Sequence, residues 1–401
     1  MGVSSTARKI LLVTLPAFVI VSAAVAAGVE VWVRAHWNPK SGKPGLFVTD
    51  AYRGLRLAPN YDGWFAGVPV HTNNLGFRDP RDYSLEKRPN TFRIIVLGDS
   101  VTFGHGSVYE HSYPYLLEQK LEAWRPDVDW QVWNLGVPGY NTSQELENLE
   151  EVGPRYSPDL VIVGFYENDL LENQERHPGP LLIAAAKAYS FAQRHIYSLQ
   201  LYRRLYLGLV WRLSASDAYR ERLQNVSDDE TQLRKVDTLA DAEQQKLTNF
   251  DRVTDADVQS GCVHKPRPSS READAAQREP GYADWVKAVR GFQQLQREGK
   301  YRILFFLNVA PLQCQDTDQL FADDGPTGVN ALFLRVMGVD TPAISTHDAL
   351  LHTRPSQMPG WAGHSFGNTN VVKAEVLFDY VRGHVRLPAP PPQRRTSAAE
   401  R

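Results

Sequence analysis

Arg93-Ile-Ile-Val-Leu-Gly-Asp-Ser-Val-Thr-Phe-Gly104 is an apolar, largely β-branched run that stops at Gly98, passes through Asp99 and Ser100, and reaches a second glycine. An apolar run of this length between turn residues predicts a fully buried, parallel strand. Ser100 then stands just past the carboxyl end of that strand, where open α/β sheets collect ligands in the crevice outside the sheet. Gly98 and Gly104 permit a sharp turn around it. Taken alone, Gly-Asp-Ser is better explained by a polar turn that caps the next helix through Ser100 or Thr102.

Three further pieces follow in a fixed order. Asn134-Leu-Gly136-Val-Pro-Gly139-Tyr-Asn-Thr142 comes after a second short strand, and Gly164-Phe-Tyr-Glu-Asn168-Asp169 after a third, Leu160 to Val163. Gly363-His364-Ser-Phe-Gly-Asn368 lies near the C-terminus. This ordered set resembles the SGNH (GDSL-type) hydrolase family, in which a serine, a glycine, an asparagine and a histidine each mark one block. The resemblance covers about residues 91–385 and is strongest in the first three blocks. It implies a three-layer, flavodoxin-like α/β domain that hydrolyses carboxylic esters, with no cofactor indicated. The substrates it suggests are acyl or acetyl esters on small molecules, lipids or envelope glycans.

Acyl transfer needs a nucleophile, a base for its proton, and donors aimed at the oxyanion. Ser100 is the candidate nucleophile and His364 the candidate base, since an imidazole accepts a proton near neutral pH. The oxyanion donors are the Ser100 amide, the Gly139 amide and the Asn168 carboxamide, which donates without titrating. Gly136 is the lesser candidate, because the family's donor glycine follows the start of the turn. The bland reading of Asn168-Asp169 is a turn and helix cap. One departure stands out: the family places an aspartate two or three residues before the histidine to orient the imidazole, and here Trp361-Ala362-Gly363 occupies those positions. Three accounts stay open: a Ser–His dyad with the ring held by a backbone carbonyl such as that of Trp361, a remote carboxylate such as Asp348, or a catalytically impaired site. His352 is a rival base. His105 reads as an incidental loop histidine beside the crevice, and Asp99 as a residue bonding its own loop's amides rather than a catalytic group.

Arg8-Lys9 precede an uncharged apolar run from Ile10 to Val29, long enough to cross roughly 30 Å of hydrocarbon as a helix. Small residues at Ala23 to Ala27 offer a cleavage-like pattern. The apolar character nevertheless continues through Val31-Trp32-Val33, and a terminal tryptophan suits an uncleaved interfacial anchor. Positive charge before the span places the remaining body on the extracytoplasmic side of the membrane. In a chain of 401 residues, a net charge of −2 supplies no basic field for nucleic acid. Cys262 and Cys314, the two cysteines, would be free to pair outside the cytoplasm. His347 and His352 have no third ligand nearby in sequence, so no metal site is expected.

The expected organisation is a cytoplasmic tip and span (1–34), an irregular hairpin prelude (35–90), a hydrolase domain (91–386) with a helical insertion at about 176–281, and a proline-rich tail (387–401). Within the domain, helices are expected at Tyr113 to Trp124, Thr142 to Val152, Tyr282 to Glu298 and Val371 to Val385. Strands are expected at Val128 to Leu135 and Arg302 to Val309. Thr142 or Ser143 is the expected cap of the second helix, with Glu145 completing a capping box. Alternating strands and helices argue for a parallel sheet covered on both faces. The prelude motif His71-Thr-Asn-Asn-Leu-Gly-Phe-Arg78 carries no evident catalytic role and is read as packing. Leu181 to Leu213 interleaves apolar, aromatic and basic residues, as a cap over the crevice, a packing layer or a membrane-surface element would. Two other functions remain open: transfer of an acyl group to a glycan hydroxyl if water is excluded, or non-catalytic binding of envelope glycan.

Overall fold

The computed structural model describes residues 10–37, 45–51, 53–66, 68–166, 169–172, 179–213, 273–308, 328–351, 360–361, 364–365 and 367–387. Asn168, Cys262, Cys314, His352, residues 214–272 of the insertion and residues 388–401 of the proline-rich tail, all within stretches singled out in the sequence, lie outside these residues.

In chain order the elements are α1 (Leu15–Ala35), β1 (Phe47–Asp50), β2 (Gly54–Leu57), β3 (Asp62–Phe65), β4 (Val68–His71), β5 (Thr91–Gly98), α2 (Ser100–Phe103), α3 (Tyr113–Trp124), β6 (Asp129–Gly136), α4 (Thr142–Tyr156), β7 (Leu160–Phe165) and α5 (Asp169–Glu172). They continue with α6 (Pro180–His195), α7 (Ser198–Leu213), α8 (Ala273–Gln277), α9 (Tyr282–Arg297), β8 (Ile303–Leu307), α10 (Val329–Met337), β9 (Ala343–Ser345), α11 (His347–Leu351), β10 (Gly360–Trp361), β11 (His364–Ser365) and α12 (Asn368–His384).

Five strands form one parallel sheet in the order β6-β5-β7-β8-β9, the 2-1-3-4-5 order of a flavodoxin-like domain. The chain order reverses between β5 and β7, so the crevice opens beside the end of the strand that delivers Ser100. Alternation along the strands sorts the core into two layers. Ile95, Leu97, Val161, Val163 and Phe305 face Leu149 of α4, Trp285 and Phe292 of α9 and Phe333 of α10. Ile94, Val96, Ile162, Leu304 and Phe306 face Leu117 and Leu121 of α3 and Leu377 and Val381 of α12. Every residue of β5 is buried, as a central strand covered on both faces requires.

The prelude folds into two antiparallel hairpins, β1-β2 and β3-β4. Their apolar residues Leu57, Val68 and Val70 pack with Phe103, Val137 and Tyr140, against the two turns expected to carry the nucleophile and an oxyanion donor. The cap of α4 differs from the expectation. Asn141 is the N-cap, its side chain accepts from the Gln144 amide at 3.1 Å, and its own amide donates to Gln144 Oε1 at 3.0 Å. Glu145 is thereby freed from capping and turned fully inward.

N-terminally, α1 belongs to a 24-residue apolar stretch, Leu12–Ala35, long and apolar enough to cross a membrane. Its large apolar side chains, among them Phe18, Ile20 and Trp32, are exposed.

Candidate active site

Gly98 on β5 pairs with Gly136 on β6 and with Gly164 on β7, so three glycines stand in register across the carboxyl edge of adjacent strands. The α2 turn sits on this row. A Cβ at Gly98 would meet Thr102 Oγ1 at 2.0 Å, one at Gly136 the Phe103 amide nitrogen at 2.4 Å, and one at Gly164 Thr102 Oγ1 at 2.7 Å. Side chains there would lift the turn off the sheet, because close-packed interiors have no slack for a displaced backbone. Thr102 is locked in place by a 2.8 Å bond with the buried Tyr113 hydroxyl.

Asp99 caps α2 with a 2.8 Å bond from the Val101 amide, which is the loop-bonding role expected of it. Ser100 opens the helix and is half-buried. From the other side the turn is gripped by Arg78, which the sequence marked only as packing. Its fully buried guanidinium donates to the carbonyls of Phe103 and Gly104, each at 2.7 Å, and of Ser107. Burial lowers the Arg78 pKa to about 10, which leaves the guanidinium charged at neutral pH. Three carbonyls on the chain just after the serine are thus answered by one cation from the prelude.

The His364 ring meets the serine: Nε2 lies 2.8 Å from Ser100 Oγ, within hydrogen-bond reach for proton transfer. His364 stands in β11, and its backbone partner in β10 is Trp361, the residue whose carbonyl was one expected support. Asp348, the other, has a 97 % exposed side chain whose carboxylate lies 3.5 Å from His347 Nδ1. A support that sequence reading passed over is His105, whose ring stacks on that of His364 with centroids 4.3 Å apart and planes 20° apart. Burial, then the proximity of His364 and Arg78, push the His105 imidazole well below its usual pKa, so it is neutral. Phe65 of β3 packs edge-on against its ring at 5.2 Å.

Ser365, the next residue, is held as well. Its hydroxyl accepts from Nζ of the fully buried Lys373 at 2.5 Å, and its carbonyl from Asn370 Nδ2 at 3.2 Å. Burial lowers the Lys373 pKa to about 7, against the opposing effect of the Asp99 carboxylate. Burial likewise, with Asp99 adding to it, raises the pKa of Glu145 well above the carboxylate range.

Gly139 lies in the turn that follows β6, closed by the Tyr140 amide donating to the Val137 carbonyl at 3.0 Å. It is exposed, with φ at +82°, the left-handed region in which glycine is unstrained. The Val137 amide donates to the Gly98 carbonyl at 2.9 Å, so this turn leaves the sheet beside the one carrying Ser100. Thr142, after it, donates to Asp169 Oδ2 at 2.9 Å and ties the second sequence block to the third. Asn168 itself is outside the described residues.

The structure thus brings together a serine hydroxyl on a strand-end turn and an imidazole within reach of it, beside a glycine turn on the same edge of the parallel sheet. Residues 96–294, just under half of the chain, match the model of the GDSL-like Lipase/Acylhydrolase family. The matched stretch contains Ser100, Gly139 and Asn168 and ends before His364. A 77-residue segment is 34 % identical to an arylesterase of Vibrio mimicus, covering 19 % of this chain and 38 % of that protein. The chain therefore spans well under half the length of that curated relative. Among solved structures, it is similar to a two-domain esterase active on acetylated mannans, at 13 % identity and TM-score 0.36 over 75 % of this chain and 52 % of the other. It is also similar to a putative acylhydrolase of Bacteroides fragilis, at 10 % identity and TM-score 0.33 over 73 % and 88 % of the two chains.

Proposed function

We propose that this protein is a membrane-tethered serine hydrolase of carboxylic esters, working through Ser100 and His364. The observation that carries the reading is the 2.8 Å approach of His364 Nε2 to Ser100 Oγ. In the first half-reaction His364 takes the hydroxyl proton as Oγ bonds to the ester carbonyl carbon. The oxyanion is received by the amides of Ser100 and Gly139 and the carboxamide of Asn168, each donor worth about 3 kcal/mol of barrier. The tetrahedral species then expels the alkoxide, which leaves as the alcohol with the proton from His364. Water attacks the acyl-serine in the same way, its proton passing through His364 back to Ser100 Oγ, and the carboxylic acid departs.

The tether is the exposed apolar helix α1, with the catalytic body on the extracytoplasmic side. The stretch of likeness to an arylesterase supports an aryl acetate as the first substrate to test. Full-length protein in detergent is expected to hydrolyse p-nitrophenyl acetate, and Ser100→Ala to lose on the order of 10⁴-fold in kcat or more. His364→Ala should fall comparably, since the two residues act as a unit. Equal turnover in parent and Ser100→Ala would end the hydrolase reading in favour of a glycan-binding module.

A further inference from the structure

We propose that the α6–α7 hairpin lies on an anionic phospholipid surface, as a second membrane contact continuous with the point where α1 leaves the bilayer. The proposal rests on the anchor reading of α1.

The hairpin is fastened to the end of the span. Glu30 of α1 accepts from the amides of Tyr197 and Ser198, at 2.9 and 2.8 Å, where α6 passes into α7. Arg34 donates to the His195 carbonyl at 2.5 Å and lies over the Tyr197 ring at 4.7 Å, and Trp37 packs edge-on against the same ring at 5.1 Å. The 24-residue apolar stretch is about 36 Å long as a helix, against roughly 30 Å of hydrocarbon. Glu30 and Arg34 in its last two turns therefore fall at headgroup depth, and they hold the hairpin there.

Among the described residues, the body bonds α6 along one side. Thr49 of β1 donates to the Ala186 carbonyl at 3.0 Å and shares a 2.5 Å bond with Ser190, yet α6 buries none of its residues. Leu181, Leu182 and Phe191 of α6 are 84, 63 and 66 % exposed, and Leu205, Tyr206 and Leu209 of α7 are 62, 63 and 55 % exposed. Large apolar side chains left bare in this number mark an interaction surface. The charge names the partner. Pro180 to Leu213 contains five Lys or Arg and no Asp or Glu, in a chain whose net charge is −2. Apolar side chains between cationic ones, fixed at headgroup depth, suit insertion among acidic headgroups. The body is then held at two points, which removes free rotation about a single stalk.

The test uses the full chain in nanodiscs of phosphatidylcholine and phosphatidylglycerol, with p-benzoylphenylalanine replacing Leu182, Phe191, Val21 or Val339 one at a time. Val21 lies in the span and Val339 is an exposed position on the hydrolase body. Irradiation is expected to give phospholipid adducts at Leu182, Phe191 and Val21 and none at Val339. Adducts at Val21 alone overturn the proposal and leave the anchor standing, whereas their absence at Val21 brings down the anchor and the proposal with it. Crosslinks from Leu182 and Phe191 to a second copy of the chain would replace lipid by a dimer interface. Undiminished lipid adducts in nanodiscs of phosphatidylcholine alone would refute the requirement for anionic headgroups.

Discussion

Lys373 sits fully buried against the sheet layer of α12, its Nζ 2.5 Å from the hydroxyl of Ser365. Lys373→Met keeps the length of the stem and removes the ammonium. Burial moves the lysine from 10.5 to about 7, which puts the cost of carrying its charge inside at about 5 kcal/mol. The sign follows from linkage. The unfolded chain keeps the proton up to about pH 10.5 and the folded protein releases it above about 7, so between these values the unfolded state binds more protons and stability rises with pH. At pH 6 the variant escapes the whole cost and loses a hydrogen bond worth about 1–3 kcal/mol, for a net gain of about 2–4 kcal/mol. That gain should shrink by about 1.4 kcal/mol per pH unit above 7, cross zero between about pH 8.5 and 10, and end as a net loss, that of the hydrogen bond, by about 10.5. Activity should move the other way: without its tether Ser365 no longer fixes the backbone of His364, and kcat falls by about 10- to 100-fold with KM little changed. Urea midpoints and p-nitrophenyl acetate kinetics from pH 6 to 10 test both halves. A stability difference that is flat across this range would refute the buried-ammonium argument, and an unchanged kcat would refute the tether.

Two further perturbations separate ring packing from backbone packing at the site. His105→Leu removes the ring stacked on His364 and should lower kcat about 2- to 30-fold, the 0.5–2 kcal/mol that an aromatic face lends a neighbouring cation, while His105→Phe should restore most of it; equal loss in both variants would mean that stacking is not what the residue supplies. Gly136→Ala brings a Cβ within 2.4 Å of the Phe103 nitrogen and should cost about 1–3 kcal/mol in urea unfolding, along with activity. Gly139→Ala meets no atom within 4 Å and should cost only the left-handed backbone, about 1 kcal/mol, so similar losses at the two glycines would count against the close-approach account.

The sheet was legible because its strands are continuous apolar runs closed by turn residues, and burial on both faces leaves such runs no other use. Thus Arg93 to Gly98 and Leu160 to Val163 announced β5 and β7 within a residue or two. The cap of α4 was misread because Asn141, Thr142 and Ser143 are all good N-caps. Only the backbone decides among them, and it chose the one whose N3 partner, Gln144, could close the box, leaving Glu145 to point inward. The glycine row had no visible signature either. Gly98, Gly136 and Gly164 each look like turn residues in their own segments, and their alignment exists only once strand register is known.

The prelude shows the same limit from another direction. Nothing local to Arg78 distinguishes a loop arginine that packs from one whose guanidinium answers three carbonyls beside a nucleophile, because those carbonyls lie 25 to 29 residues further on. Charge near the histidine is a related case. Reading the last block for an aspartate assumes that whatever orients the ring is adjacent in sequence. Here the contacts that bear on His364 come from His105, which stacks on its face, from Trp361 across the β10–β11 pair, and from Lys373 and Asn370 through Ser365. A ring fixed on one face and through its backbone neighbour has few orientations left, and the one it adopts points Nε2 at Ser100. Orientation and electrostatic support are therefore separable demands. An aspartate missing from the residues just before His364 bears only on the second, which is why its absence does not by itself argue for an inert site.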